Sequence, residues 1–165
     1  MKQHIGIDNG VSGSVTFLCV GLPVVYTPTP TKNELSYTKA KKNITRVDFS
    51  ALRALFAANV TSDCMAVIER PMVNPGRFAA TLSAMRCLEA TLIVLEEFGV
   101  AYQYIDSRQW QKDMLPSGLE GPELKSASLD IGRRLFPSMS ERLAAVKAKD
   151  CDSLLMAEWA RRKGL

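Results

Sequence analysis

Residues 65–68 (Met-Ala-Val-Ile) form an unbroken apolar run that stops at Glu69, with Pro71 two positions beyond. Four residues are too few for a helix. An apolar run without polar alternation suits a central strand covered on both faces, here with a carboxylate at its exit. Residues 3–8 (Gln-His-Ile-Gly-Ile-Asp) read in the same way, as a strand ending at Asp8 before a Gly- and Ser-rich turn over residues 9–14. Buried strands of this kind need helices on both sides of their sheet, so the chain is constrained towards an α/β architecture.

The remaining pattern fits that frame. Residues 15–20 predict a strand hairpinned to the first, and residues 23–26 a third. The basic, Pro- and Thr-containing stretch 27–46 breaks regular structure. Asp48 offers an N-cap for a helix over residues 49–58, where Phe49, Leu52, Leu55 and Phe56 share a face. After the loop 71–77 a long helix spans residues 78–97, closed by Gly99 at C′, and a strand follows at 100–105. Trp110 and Lys112 come next, then a Pro/Gly loop at 116–122, a helix over 123–135 stopped by Pro137, and a last helix over 150–162. No internal repeat, low-complexity tract or linker interrupts the 165 residues, which are expected to form one domain, 1–165.

Composition removes several classes of chemistry. The four cysteines (Cys19, Cys64, Cys87, Cys151) form no C-x-x-C pair and His4 is the only histidine, so zinc sites, disulfide frameworks and histidine triads lack their parts. The N-terminus enters a strand without an apolar signal region, and apolar runs look too short to span a bilayer, so a cytoplasmic protein without a membrane partner is expected. The net charge is +4, and all of that excess lies in residues 32–46, where Lys32, Lys39, Lys41, Lys42 and Arg46 face Glu34 alone. This stretch reads as a phosphate-contacting arm or as a solvated loop.

What remains is carboxylate chemistry. Central strands of an open sheet bring their C-terminal ends together, so Asp8 and Glu69 can converge there with Asp150 and Asp152, which open the final helix. Such acids repel one another unless a cation sits among them. Oxygen ligands suit Mg²⁺ or Mn²⁺, and two such ions about 3.5–4 Å apart stabilise the attacking and leaving oxygens of a phosphodiester displacement. Read singly, Asp8 can instead serve the turn, Asp150 or Asp152 can cap the helix, and Glu69 can pair with Arg70.

Taken together, Ile5-Gly6-Ile7-Asp8-Asn9-Gly10 with Ser12-Gly13, then Val67-Ile68-Glu69, then Asp150-x-Asp152-Ser153-Leu154-Leu155 resemble the RuvC-type Holliday junction resolvases of the ribonuclease H-like superfamily, most closely the small phage-encoded members. The likeness runs over nearly the whole chain in the right order. It implies a ribonuclease H-like fold, a central five-stranded mixed sheet flanked by helices, and two Mg²⁺ ions (or Mn²⁺) held by Asp8, Glu69, Asp150 and Asp152. The family commonly spaces its last two acids three or four positions apart, and here those positions before Asp152 are Lys149 and Ala148, so Asp150 takes the place from a different spacing. The resemblance also puts Lys112 and Lys125 beside the metals as catalytic lysines, and Met72 at the position that wedges into a junction, with Arg77 and Phe78 as alternative contacts. It implies a homodimer, through the 78–97 helix, that cuts four-way DNA junctions. An RNA-processing nuclease of the same fold and a junction-binding module without cleavage remain as alternatives. An actin-like sugar kinase shares the Ile-Gly-Ile-Asp-x-Gly strand but needs two such domains.

Overall fold

The computed structural model describes residues 1–37, 39 and 41–165. Three strands, β1 (Gln3–Asp8), β2 (Ser14–Cys19) and β3 (Val25–Pro28), form an antiparallel meander. Two more, β6 (Cys64–Glu69) and β7 (Ala101–Ile105), run parallel to β1, giving a mixed five-stranded sheet of order β3-β2-β1-β6-β7. The expected fold class is thus found. Because β1 and β6 are parallel neighbours, with Ile7 opposite Ile68, Asp8 and Glu69 leave the sheet side by side at its C-terminal edge.

The two-residue period of a strand divides the core into two layers. Ile5, Ile7, Ala66 and Ile68 face helices α1 (Phe49–Asn59) and α2 (Phe78–Glu97), where Leu52, Phe56, Leu88, Val94 and Leu95 are buried. Val67 faces the opposite layer, with Trp110 and Met114 of α3 (Ser107–Met114), Leu143 of α5 (Ser140–Ala145), and Leu154 and Leu155 of α6 (Asp152–Lys163). Helix α4 (Gly121–Leu135) packs on α6 from outside. Gly6 permits the closest approach between layers, since a Cβ there would fall on the carbonyl oxygen of Ser153.

Several local expectations are corrected. The stretch 27–46 is not irregular: β4 (Thr31–Leu35) and β5 (Asn43–Val47) pair as a separate antiparallel hairpin. Its residues are mostly exposed on both faces, so no apolar alternation marks them, and only Val47 reaches the core. The third strand lies at 25–28, and α6 begins at Asp152 rather than at residue 150. Two short helices, α3 and α5, were not expected. The α3 start carries a readable signal, since Gln109 Oε1 accepts from the Asp106 N–H at 2.8 Å, as in a capping box. The segment Pro75–Glu97 is, by length and composition, long and apolar enough to cross a membrane, contrary to the expectation from apolar runs. It owes this to having two apolar sides: Cys87, Leu88, Val94 and Leu95 pack inward, while Phe78, Met85 and Ile93 are exposed.

Candidate active site

Four carboxylates gather where β1, β6 and α6 meet. Oxygen atoms of Asp8, Asp150 and Asp152 lie within 4.8 Å of one another, and Glu69 stands beside them at the end of β6. Asp8 is held by a tight turn: the Gly13 N–H donates to Gly10 O at 3.1 Å, and a Cβ on Gly13 would fall on the Asp8 carbonyl. Asn9 Nδ2 donates to Ala84 O of α2 at 3.1 Å, tying the turn to the opposite layer.

The end of α6 that carries the acids is fixed from three sides. Ser153 Oγ lies 2.7 Å from Ser14 Oγ and 2.8 Å from Thr16 Oγ1, a buried hydroxyl triad under the helix start. The Tyr26 hydroxyl donates to the Asp150 carbonyl at 3.2 Å. From α4, the Lys125 ammonium donates to Asp150 Oδ2 at 2.6 Å, and the Ser128 hydroxyl lies 2.5 Å from Asp152 Oδ1. Asp150 precedes the helix, and its Oδ1 accepts from the Asp152 N–H at 3.3 Å. An acid two positions from Asp152 therefore joins the cluster from outside the helix, which a helical spacing would not allow.

Burial and mutual repulsion push Asp8, Glu69 and Asp152 up. Asp8 rises to about 8, chiefly because burial disfavours its charge, with Glu69, Asp152 and Asp150 adding repulsion. Glu69 rises to about 7, through burial and then Asp152, and Asp152 to about 6, through burial and then Asp150. Lys125 moves in the stabilising sense for its charge: burial lowers its pKa, but the Asp150 hydrogen bond and the three aspartates raise it by more. A site that penalises its own carboxylates in this way is satisfied by cations, and an all-oxygen donor set fits Mg²⁺ or Mn²⁺.

The other expected residues are distributed as follows. Lys112 is exposed on α3 and makes no ion pair among the described residues, whereas Lys125 touches the acids directly. Arg70 pairs with Asp106 at 3.6 Å, not with Glu69. Met72 and Val73 are 80% and 67% exposed in the loop after Glu69, and Phe78 is 71% exposed at the start of α2, with Arg77 beside it. Lys39, Lys41 and Lys42 lie in the connection of the β4–β5 hairpin, exposed and without ion pairs among the described residues. Arg46 on β5 is engaged by Glu34 at 2.7 Å. A groove of about 720 Å³ runs between this hairpin and α2, lined by Leu35, Tyr37, Ile44, Ala90 and Ile93, away from the acids.

Two residues at the site were not anticipated in their roles. Trp110 is fully buried, and its indole N–H makes no hydrogen bond among the described residues, yet it is close enough to Glu69 to favour the ionised carboxylate. Ser128 touches Asp152 from α4; its only sequence signal is its position three residues after Lys125, on the same face of the helix.

No protein-family model matches the sequence, and no curated protein matches it. Solved structures do resemble the fold. RuvC from Thermus thermophilus, in complex with a Holliday junction substrate, superimposes with a TM-score of 0.62 at 12% identity, covering 99% of this chain and 97% of that one. A second structure of Thermus thermophilus RuvC gives a TM-score of 0.58 at 13% identity, over 98% of this chain and 96% of that one. The likeness spans essentially the full length of both chains, and establishes the RuvC-like, ribonuclease H-like fold.

Proposed function

We propose that this protein is a metal-dependent endodeoxyribonuclease selective for branched DNA, of the kind found in small phage-encoded junction resolvases. The observation that carries the reading is the convergence of Asp8, Asp150 and Asp152 to within 4.8 Å, with Glu69 beside them, on a fold shared with a protein solved in complex with a Holliday junction. Asp8, Glu69, Asp150 and Asp152 would hold two divalent ions. Bound there, the ions supply Lewis-acid charge for attack of water on phosphorus and for departure of the 3′ oxygen, giving 5′-phosphate and 3′-hydroxyl ends.

The chain's own residues do the rest. Lys125 pairs with Asp150 and offers an ammonium where negative charge grows on the scissile phosphate. Lys112 would approach that phosphate from α3. Met72 is presented to solvent on the loop after Glu69, as an apolar side chain must be to enter between bases, with Arg77 available for a backbone phosphate. The exposed apolar side of α2, with Phe78, Met85 and Ile93, supports a homodimer through that helix, which would place two sites on one junction.

Purified protein mixed with a mobile four-way junction, linear duplex or an RNA–DNA hybrid, each with Mg²⁺ or EDTA, tests this reading. Mg²⁺-dependent paired nicks in the junction are expected. No cleavage of any substrate would leave a binding module at most, and preference for the hybrid would make it a ribonuclease. Light scattering on the same sample should give twice the chain mass; the mass of one chain would remove α2 as an interface.

Lys39, Lys41 and Lys42 are proposed to contact DNA backbone, as exposed cations without ion pairs among the described residues at the end of a hairpin, with Arg46 behind them. Replacing the three lysines by Ala should weaken junction binding at low salt and flatten the dependence of log affinity on log salt by up to about 3. An unchanged slope would return the hairpin connection to the status of a solvated loop.

A further inference from the structure

Helix α4 meets the acid-bearing segment at three residues, one on each of three turns. Lys125 pairs with Asp150, Ser128 contacts both Cys151 and Asp152, and Gly132 lies against the Cys151 side chain so closely that a Cβ there would collide with it. These α4 positions are spaced three and four apart, so a single helical face grips residues 150–152. Ser128 is the centre of that grip and is fully buried.

The hydroxyl has a determined direction. The Cys151 backbone N–H can only donate, and it donates to Ser128 Oγ at 3.1 Å. The one proton of Ser128 is therefore left for Asp152 Oδ1, 2.5 Å away, an acceptor. The carboxylate is held through one oxygen, and its rotation about χ2 is restrained by a donor that is itself anchored to the backbone before α6.

We propose that Ser128 is a positioning residue that holds the Asp152 carboxylate in its metal-binding orientation, acting through Asp152 and not on the DNA. The inference rests on the metal-site reading above. Hydrogen-bonded partners behind a ligand typically change metal affinity by about 10- to 100-fold when removed, because the ligand must otherwise be ordered when the metal binds.

The test is a Mn²⁺ titration of the metal-free protein, without DNA, followed by the metal-induced rise in melting temperature. Ser128→Ala removes the hydroxyl with almost no change in volume and should shift the Mn²⁺ midpoint upward by roughly tenfold or more. Ser128→Thr, which keeps the hydroxyl, should return it to within about threefold of the wild type. Melting without Mn²⁺ reads folding separately, and if Ser128→Ala does not fold, Ser128→Cys takes its place with the same expected shift. Combining Ser128→Ala with Asp152→Asn should cost no more affinity than Asp152→Asn alone. A midpoint unchanged by Ser128→Ala, equal losses in the Ala and Thr variants, or additive losses with Asp152→Asn would each overturn the proposal. A wild-type protein that shows no Mn²⁺ response would overturn the metal-site reading itself, and the role of Ser128 with it.

Discussion

Replacing Asp8 by Asn should abolish Mg²⁺-dependent junction cleavage, by at least about 10³-fold, while junction binding survives or improves. A loss of that size corresponds to about 4 kcal/mol of transition-state stabilisation. It is expected because Asp8 is the member of the cluster that faces Asp150 and Asp152 from β1, so its removal opens one side of the metal site. Binding is retained because the substitution removes a negative charge near the phosphates and leaves the turn residues Gly10 and Gly13 in place. Loss of both binding and cleavage would make Asp8 a structural residue.

The same variant has a second, opposite consequence in metal-free protein. Asp8 is raised from 3.8 to about 8 in the fold, so the native state keeps a proton that the unfolded chain releases. The stabilisation is therefore complete below about pH 4 and is lost as pH rises through 8. Glu69 at about 7 and Asp152 at about 6 act with the same sign. In EDTA the wild-type melting temperature should fall between pH 5 and 8, as expected for raised carboxylates. Asp8→Asn should flatten that fall and gain about 2 kcal/mol at pH 8, roughly 5 °C for a chain of this size. Calorimetry across that pH range with EDTA checks both points, and a flat wild-type profile would contradict the crowding of the acids.

The largest effect on stability should come from Gly6→Ala. A Cβ at residue 6 would fall on the Ser153 carbonyl oxygen, and would lie 2.8 Å from the Ala157 nitrogen. Both are backbone atoms of α6, so no side chain can swing aside. The helix cannot retreat freely either, because Leu154, Leu155, Met156 and Ala157 are fully buried around it. Overpacking against backbone at a fully packed interface should cost about 3 kcal/mol or more, enough to leave the variant marginally folded. Any folded fraction should also have weakened metal binding, because moving α6 moves Asp152 away from Asp8. Urea unfolding of the variant decides this, and a midpoint equal to wild type would mean that β1 and α6 are not in such close contact.

What was legible in the chain follows from where burial imposes a period. The strands ending at Asp8 and Glu69, the helix capped by Asp48 and the long helix closed by Gly99 all pack on the core, and their apolar positions repeat accordingly. The β4–β5 hairpin was missed because it is exposed on both sides, so its backbone pairing leaves no trace in side-chain hydropathy. Helix α3 is only eight residues long, and its buried face consists of Trp110 and Met114 alone. Ser128 could not be singled out, since a lone serine in a helix becomes informative only when its partner 24 residues away is known.

By itself, the sequence determined the α/β class, the order of the five sheet strands and the longer helices, and the residue types available for chemistry: carboxylates and lysines, with a single histidine that lies buried near the start of β1 and contacts the Leu165 carbonyl. Local preference and burial periodicity are properties of neighbouring residues, so they can be read along the chain. Only the tertiary structure decided that Asp150 reaches the cluster from outside the helix, that Lys125 rather than Lys112 touches the acids, and that Ser128 is hydrogen-bonded to Asp152. Those relations depend on how closely α6 settles on β1 and α4 on α6, and that distance is set by the missing side chains of Gly6 and Gly132, which no local pattern encodes.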